Sequence, residues 1–204
     1  MLHFHRMFSD IERLLNEKKR IVMAVDGMSA AGKSSFAGLL AKRYTSCLIH
    51  MDHFFLRPEQ RTPARLAMPG GNIDFERFVS EVSLPLDSGM PFSYRPYDCK
   101  TQALAEPVFI EPEPLTVIEG AYSLSPEITK NIAYDISVFM QLDEVKQHKR
   151  LKERNSELYA RFVNEWIPME KMYFEAFRIP EKCDYIIENN TTVKDNGVQN
   201  DKNK

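Results

Sequence analysis

Nine consecutive residues carry the densest chemistry in this sequence: Gly27, Met28, Ser29, Ala30, Ala31, Gly32, Lys33, Ser34 and Ser35. Gly27, Gly32, Lys33 and Ser34 stand in the spacing G-x-x-x-x-G-K-[ST], the P-loop pattern. The two glycines admit backbone angles that turn successive N–H groups inward, forming an anion-binding nest. A helix beginning near Lys33 adds the positive end of its dipole. Lys33 is then within reach of the β- and γ-phosphates of a nucleoside triphosphate, and the Ser34 hydroxyl is placed to ligate Mg²⁺. Two acids extend this chemistry. Asp52 follows the apolar run Cys47-Leu48-Ile49-His50-Met51, and Glu119 closes Leu115-Thr116-Val117-Ile118. Carboxylates at the C-terminal ends of parallel strands lie where open α/β sheets bind ligands. Asp52 is therefore a candidate catalytic group, with a turn or cap role as its structural alternative. Glu119 is a candidate Mg²⁺ neighbour acting through water.

Strands and helices must hold these groups at one edge. Apolar runs over 21–26, 47–51, 115–119, 136–140 and 184–187 read as strands buried on both faces. Helical patterns separate them, so the expectation is a five-stranded parallel sheet with helices on both faces. Residues 1–19 form an amphipathic helix packed on the core, with Phe4, Phe8, Ile11 and Leu15 on one side. A second helix spans about 33–44. Asn72 or Asp74 caps a third over 75–84, which Pro85 and Gly89 close. The stretch 92–98 pairs with 108–110 as a small antiparallel hairpin outside the main sheet. Asp143 caps a helix rich in Lys146, Lys149, Arg150, Lys152 and Arg154. A solvated face explains such a run, whereas arginines on a mobile segment would stabilise charge on a transferring phosphoryl group. A long helix over 157–178 buries Phe162, Trp166, Met169, Tyr173 and Phe177, with a kink at Pro168. The polar tail 189–204 is expected to be disordered, leaving 20–188 as the domain.

Composition narrows the function classes. The chain has 204 residues, 43% hydrophobic and 27% charged, with a formal net charge of −2. That balance gives no support for nucleic-acid binding or a polybasic membrane surface. Cys47, Cys99 and Cys183 are widely spaced with no C-x-x-C, which suggests reduced thiols rather than disulfides or zinc. No apolar run is long enough to span a bilayer, so the expected location is cytoplasmic. A homo-oligomer stays open.

The chain resembles the uridine kinase branch of the P-loop kinases. The likeness rests on 26–35, His50-Met51-Asp52-His53-Phe54-Phe55, Pro69-Gly70-Gly71-Asn72-Ile73-Asp74-Phe75-Glu76-Arg77-Phe78, Tyr97-Asp98, Val117-Ile118-Glu119-Gly120-Ala121-Tyr122 and Trp166-Ile167-Pro168. The resemblance implies a P-loop NTPase three-layer sandwich with a helical lid. It also implies transfer of a γ-phosphoryl group from ATP (or GTP), with Mg²⁺, to a hydroxyl of a uridine- or cytidine-like nucleoside or similar small metabolite. Asp52 would accept the proton of the acceptor hydroxyl, and Glu119 would lie near the metal. Phe55 and Tyr97 would flank the acceptor, Asp74 would join the acceptor site, and Arg150 and Arg154 would be lid arginines, with Arg161 a further candidate. Two positions depart from the pattern. Lys100, Thr101 and Gln102 stand where a base-reading histidine follows the Tyr-Asp pair, and His53 replaces a second acid. Other acceptors (pantothenate, a sugar phosphate, a nucleoside monophosphate) and a regulatory NTPase are the rival readings.

Overall fold

The computed structural model describes residues 2–190. Five parallel strands, β1 (Ile21–Gly27), β2 (Ser46–His50), β7 (Leu115–Glu119), β8 (Ile136–Gln141) and β9 (Tyr185–Glu188), form the central sheet in the order β2-β7-β1-β8-β9. Four shorter strands lie outside it: β3 (Phe92–Tyr94), β4 (Tyr97–Asp98), β5 (Ala103–Leu104) and β6 (Val108–Ile110). The architecture is the expected P-loop NTPase sandwich. Side chains alternate across the sheet because the pleat has a period of two. Ile21, Met23 and Val25 of β1 face one layer with Val117 and Val138. Ile49, Ile118 and Phe139 face the other.

The helix Leu2–Glu17 covers the first layer by burying Met7 and Ile11 in the apolar cluster shared with β1, β9 and the helix Lys33–Arg43. Full burial of such side chains is worth about 1.5–3 kcal/mol each. Phe54, Phe78, Tyr94 and Tyr173 fill the second layer.

Two helical runs differ from the sequence expectation for one physical reason. The run over 75–88 does not stop at Pro85 but passes through it, ending at Gly89 with φ +69°. A π-helical turn, Val79–Ser83, lies just before the proline, and Leu84 N–H donates to Val79 O. The run over 159–177 repeats the device: a π turn, Phe162–Trp166, precedes Ile167-Pro168, and Ile167 N–H donates to Phe162 O. Proline has no N–H and its ring clashes with the carbonyl four residues back. The wider turn relieves that clash, so each helix continues through its proline, and the stop expected at Pro85 does not occur. The buried side of this second run also differs: Trp166, Met169 and Phe177 are only half-buried, whereas Glu170 and Phe174 are buried.

The outer strands form two hairpins rather than one. β3 pairs with β6 as expected, and β4 pairs with β5 across a turn in which Gln102 has φ +55°. Of the polar tail, Asn189 belongs to the fold: its N–H donates to Gln141 O at 2.8 Å. Residues 191–204 of that stretch lie outside the described residues. No helix among the described residues is long and apolar enough to cross a membrane.

Candidate functional site

The sheet register brings the candidate residues to one edge. Glu119, the last residue of β7, stands beside Val25 of β1 on one side and His50 of β2 on the other. The P-loop leaves β1 on one flank of Glu119, and Asp52 leaves β2 on the other.

The loop after β1 is held by close backbone packing. Gly27 has φ +136°, and a Cβ there would stand 2.0 Å from Met140 O of β8. Only glycine fits. Met28 N–H donates to Met140 O at 2.9 Å and Ala31 N–H to Met28 O at 3.1 Å. Ala30 takes φ +62° and Gly32 φ +94°, which curls the chain into the start of the Lys33–Arg43 helix. Among the described residues, the amides of Ala30, Gly32, Lys33, Ser34 and Ser35 have no hydrogen-bond partner. These amides at a helix N-terminus make an anion site. Lys33 Nζ donates to Gly27 O at 2.8 Å and Met28 O at 3.0 Å, so the ammonium lies along the loop.

Asp26, a carboxylate inside an otherwise apolar strand, braces this loop from behind. It is fully buried and accepts from Gly27 N at 2.7 Å, Tyr122 N at 3.1 Å, Leu124 N at 3.0 Å and Tyr173 Oη at 2.8 Å. It ties β1 to the segment after β7 and to the helix Ile167–Phe177. An acid inside an apolar strand is the signal in the sequence that marks Asp26 for such a role.

Glu119 Oε1 accepts from Ser34 Oγ at 3.0 Å and lies 2.6 Å from His50 Nδ1. Burial pushes the Glu119 carboxyl up, but the His50 hydrogen bond and charge, Ser34 and Lys33 outweigh it and hold the group below its ordinary value. The same contact raises His50, against the opposing effect of its own burial. No cluster of three metal-ligating side chains occurs among the described residues. The P-loop type of Mg²⁺ site does not need one: magnesium takes one or two protein oxygens and completes its shell with waters and phosphates. The adjacent Ser34 hydroxyl and Glu119 carboxylate are hard oxygen donors that suit that ion.

Asp52 lies in the single helical turn Met51–Phe54 that follows β2. It keeps solvent contact at its own surface, yet the protein packed around it desolvates the carboxyl and raises its pKa. Lys33 pulls against that shift, Glu119 adds to it, and His50 and Arg154 oppose it. The P-loop lysine, the β7 acid and the helix 144–154 arginine therefore all act on Asp52. Its neighbour His53 is pushed down to about 4 by burial and by the His50 charge, so it is neutral at pH 7, and its Nδ1 lies 2.9 Å from Tyr94 Oη.

The helix Glu144–Arg154 reaches back to the loop. Arg150 donates to Ala30 O at 3.2 Å and to Asn189 O at 3.0 Å. Arg154 stacks over the Phe162 ring at 5.7 Å, and Arg161 pairs with Glu165 at 2.9 Å. The remaining predicted positions are more enclosed. Asp74 is buried as a helix cap, with Oδ1 accepting from Arg77 N at 3.1 Å and Oδ2 from Gln60 Nε2 at 2.8 Å. Both its oxygens are thus engaged within the protein. Tyr97 is buried in β4, its Oη 3.4 Å from an Arg61 nitrogen, and Phe55 is half-buried in a bridge to Ile73. Two cavities, of about 550 and 460 Å³, lie off this edge, the second reaching the back of the loop through Met28, Gln147 and Glu170.

No protein-family model and no curated protein matches the chain. Its fold is that of P-loop kinases of known structure. A possible uridine kinase from Bacillus stearothermophilus superposes with a TM-score of 0.62 at 18% identity, over 89% of this chain and 99% of that one. A protein provisionally assigned as a fructose transport system kinase from a Silicibacter species gives 0.64 at 23% identity, over 82% and 89%. A D-glycerate 3-kinase from Cryptococcus neoformans gives 0.58 at 15% identity, over 93% and 97%.

Proposed function

We propose that this protein is a kinase that transfers the γ-phosphoryl group of ATP (or GTP) to a hydroxyl of a nucleoside or similar small metabolite. The observation that carries this reading is Asp52: a carboxylate under the direct electrostatic influence of the P-loop Lys33, one strand beyond Glu119. The fold shared with P-loop kinases, whose members act on different acceptors, supports the reaction class and leaves the acceptor to be identified.

In this reading the free amides of the loop and Lys33 hold the triphosphate. Ser34 and, through water, Glu119 would hold Mg²⁺, which would supply positive charge to offset that of the phosphates. Asp52 orients the acceptor hydroxyl and takes its proton. The acceptor oxygen forms a bond to the γ-phosphorus, and the bond from that phosphorus to the bridging oxygen breaks, releasing the diphosphate. Arg150 and Arg154 bring positive charge to the transferring group, and the closing helices exclude water.

A monophosphate acceptor gains little from this arrangement. Of Arg57, Arg61, Arg65 and Arg77, the basic residues of 57–77 that a phosphate on the acceptor would call for, Arg65 is paired bidentately with Glu76, and Arg77 is buried with its guanidinium on Arg95 O and His53 O at 2.6 Å. Uridine recognition lacks a histidine, since Lys100, Thr101 and Gln102 occupy the β4–β5 turn. The test is diphosphate release across a panel of nucleosides, sugars, hydroxy acids and their phosphates, with the phosphorylated product identified directly. Acceptor-dependent release with a phosphorylated product is expected; hydrolysis indifferent to every acceptor would replace the kinase reading with that of an NTPase.

A further inference from the structure

The P-loop carries a polar clamp that the proposed reaction has not yet used. Ser29 N–H donates to Glu170 Oε2 at 2.9 Å, and the Ser29 hydroxyl donates to the other oxygen, Oε1. The third polar group, Ser29 O, accepts from Gln147 Nε2 at 3.0 Å. Every hydrogen-bonding group of Ser29 is therefore held by two helices that follow it by more than a hundred residues. Glu170 is 6% exposed and Gln147 1% exposed, so water does not compete for these bonds. Burial holds the Glu170 carboxyl above its ordinary value, against the opposing pull of Lys33 and of the two Ser29 bonds.

The clamp divides the loop. The amides of Gly27, Met28, Ser29 and Ala31 are satisfied within the protein. Those of Ala30, Gly32, Lys33, Ser34 and Ser35 are left for an anion. A buried carboxylate so near a phosphate site repels the ligand and costs affinity by itself. Its retention there is accounted for by geometry: it fixes the left-handed turn at Ala30 in the bound shape, so that binding does not have to order the loop.

We propose that Glu170 is a positioning residue for the nucleotide: through Ser29 it presets the P-loop for the phosphates, without touching the ligand itself. The proposal rests on the nucleotide-binding reading above. Its test is the dissociation constant of MgADP, measured calorimetrically for wild type, Lys33→Ala, Glu170→Gln, Glu170→Asp and Glu170→Ala, with circular dichroism confirming the fold. Glu170→Gln keeps an oxygen to accept from Ser29 N–H, turns an NH2 to donate to Ser29 Oγ, and removes the charge, so it should bind within about threefold of wild type. Glu170→Asp keeps the charge but falls one methylene short. It and Glu170→Ala should weaken binding about 10- to 100-fold, the range that hydrogen bonds to a charged group span, with the acceptor KM unchanged. A purely structural acid would lower the melting temperature in all three variants and leave the MgADP constant alone. A folded Glu170→Asp or Glu170→Ala that binds MgADP within twofold of wild type overturns the proposal, provided Lys33→Ala is weakened. If wild type itself fails to bind MgADP, the nucleotide reading falls and takes this inference with it.

Discussion

His50 Nδ1 lies 2.6 Å from Glu119 Oε1, the same oxygen that accepts the Ser34 hydroxyl at 3.0 Å. The pair joins β2 to β7 at the edge where the P-loop emerges, and its stability contribution has a defined pH window. His50 is raised above its ordinary 6.5, so its share is fully present below that value and is lost as the pH rises through the higher folded value. Glu119 is held below its ordinary 4.5, so its share is present above that value and is lost as the pH falls through the lower folded one. In the metal-free protein, the melting-temperature advantage of wild type over His50→Ala should therefore be greatest between pH 4.5 and 6.5 and shrink towards pH 9. An advantage that grows towards pH 9 would show that the two groups do not form an ion pair.

Asp52→Asn should keep nucleotide affinity and lose about 10²- to 10⁴-fold in turnover, the range for a general base. Desolvation raises the Asp52 carboxyl, and the base must be ionised to act. The acid limb of kcat/KM in wild type should therefore fall above the usual carboxylate value of 3.8. Equal turnover by Asp52→Asn and wild type would remove Asp52 from that role.

Lys33→Ala should weaken nucleotide binding and turnover together. The ammonium would be lost as a phosphate ligand, and so would its two bonds to the loop carbonyls of Gly27 and Met28. Charged hydrogen bonds of this kind are worth about 1.5–3 kcal/mol. Isothermal titration with MgATP and steady-state kinetics would separate this outcome from a loss of turnover alone.

Asp26→Ala tests the brace behind the loop. It would strand three backbone N–H donors and the Tyr173 hydroxyl in a dry interior. A buried donor left unpaired costs about 1–3 kcal/mol, so the variant should lose at least about 3 kcal/mol of unfolding free energy in urea. A loss below about 1 kcal/mol would mean that the surrounding loops repack around the gap.

Gly27→Ala should be as severe by a different route. The added Cβ meets Met140 O at 2.0 Å at a φ of +136°, and backbone strain of that kind alone costs about 1–3 kcal/mol. Near-wild-type thermal stability in this variant would show that β1 and β8 separate easily at the loop.

Some of this was determined by residues that are neighbours in the chain. The G-x-x-x-x-G-K-[ST] spacing specifies a backbone shape over eight residues, and the structure follows it from Gly27 to the helix start at Lys33. The five apolar runs have the length and flanks of buried strands, so their existence and the strand-end placement of Asp52 and Glu119 were legible in the same local way. The two hairpins, the helices that run on through Pro85 and Pro168, and the Gln60 partner of Asp74 were decided by packing. Glu170 shows the difference most clearly. It falls four residues after Trp166 and three before Tyr173, on the face expected to be buried, so an acid on an apolar stripe was a visible anomaly. Its partner was not visible, because Ser29 lies 141 residues earlier. The chain's local preferences set where it turns and which side is apolar. Which buried carboxylate meets which buried amide depends on strand order and helix packing, and those contacts exist only once the sheet has assembled β1 between β7 and β8.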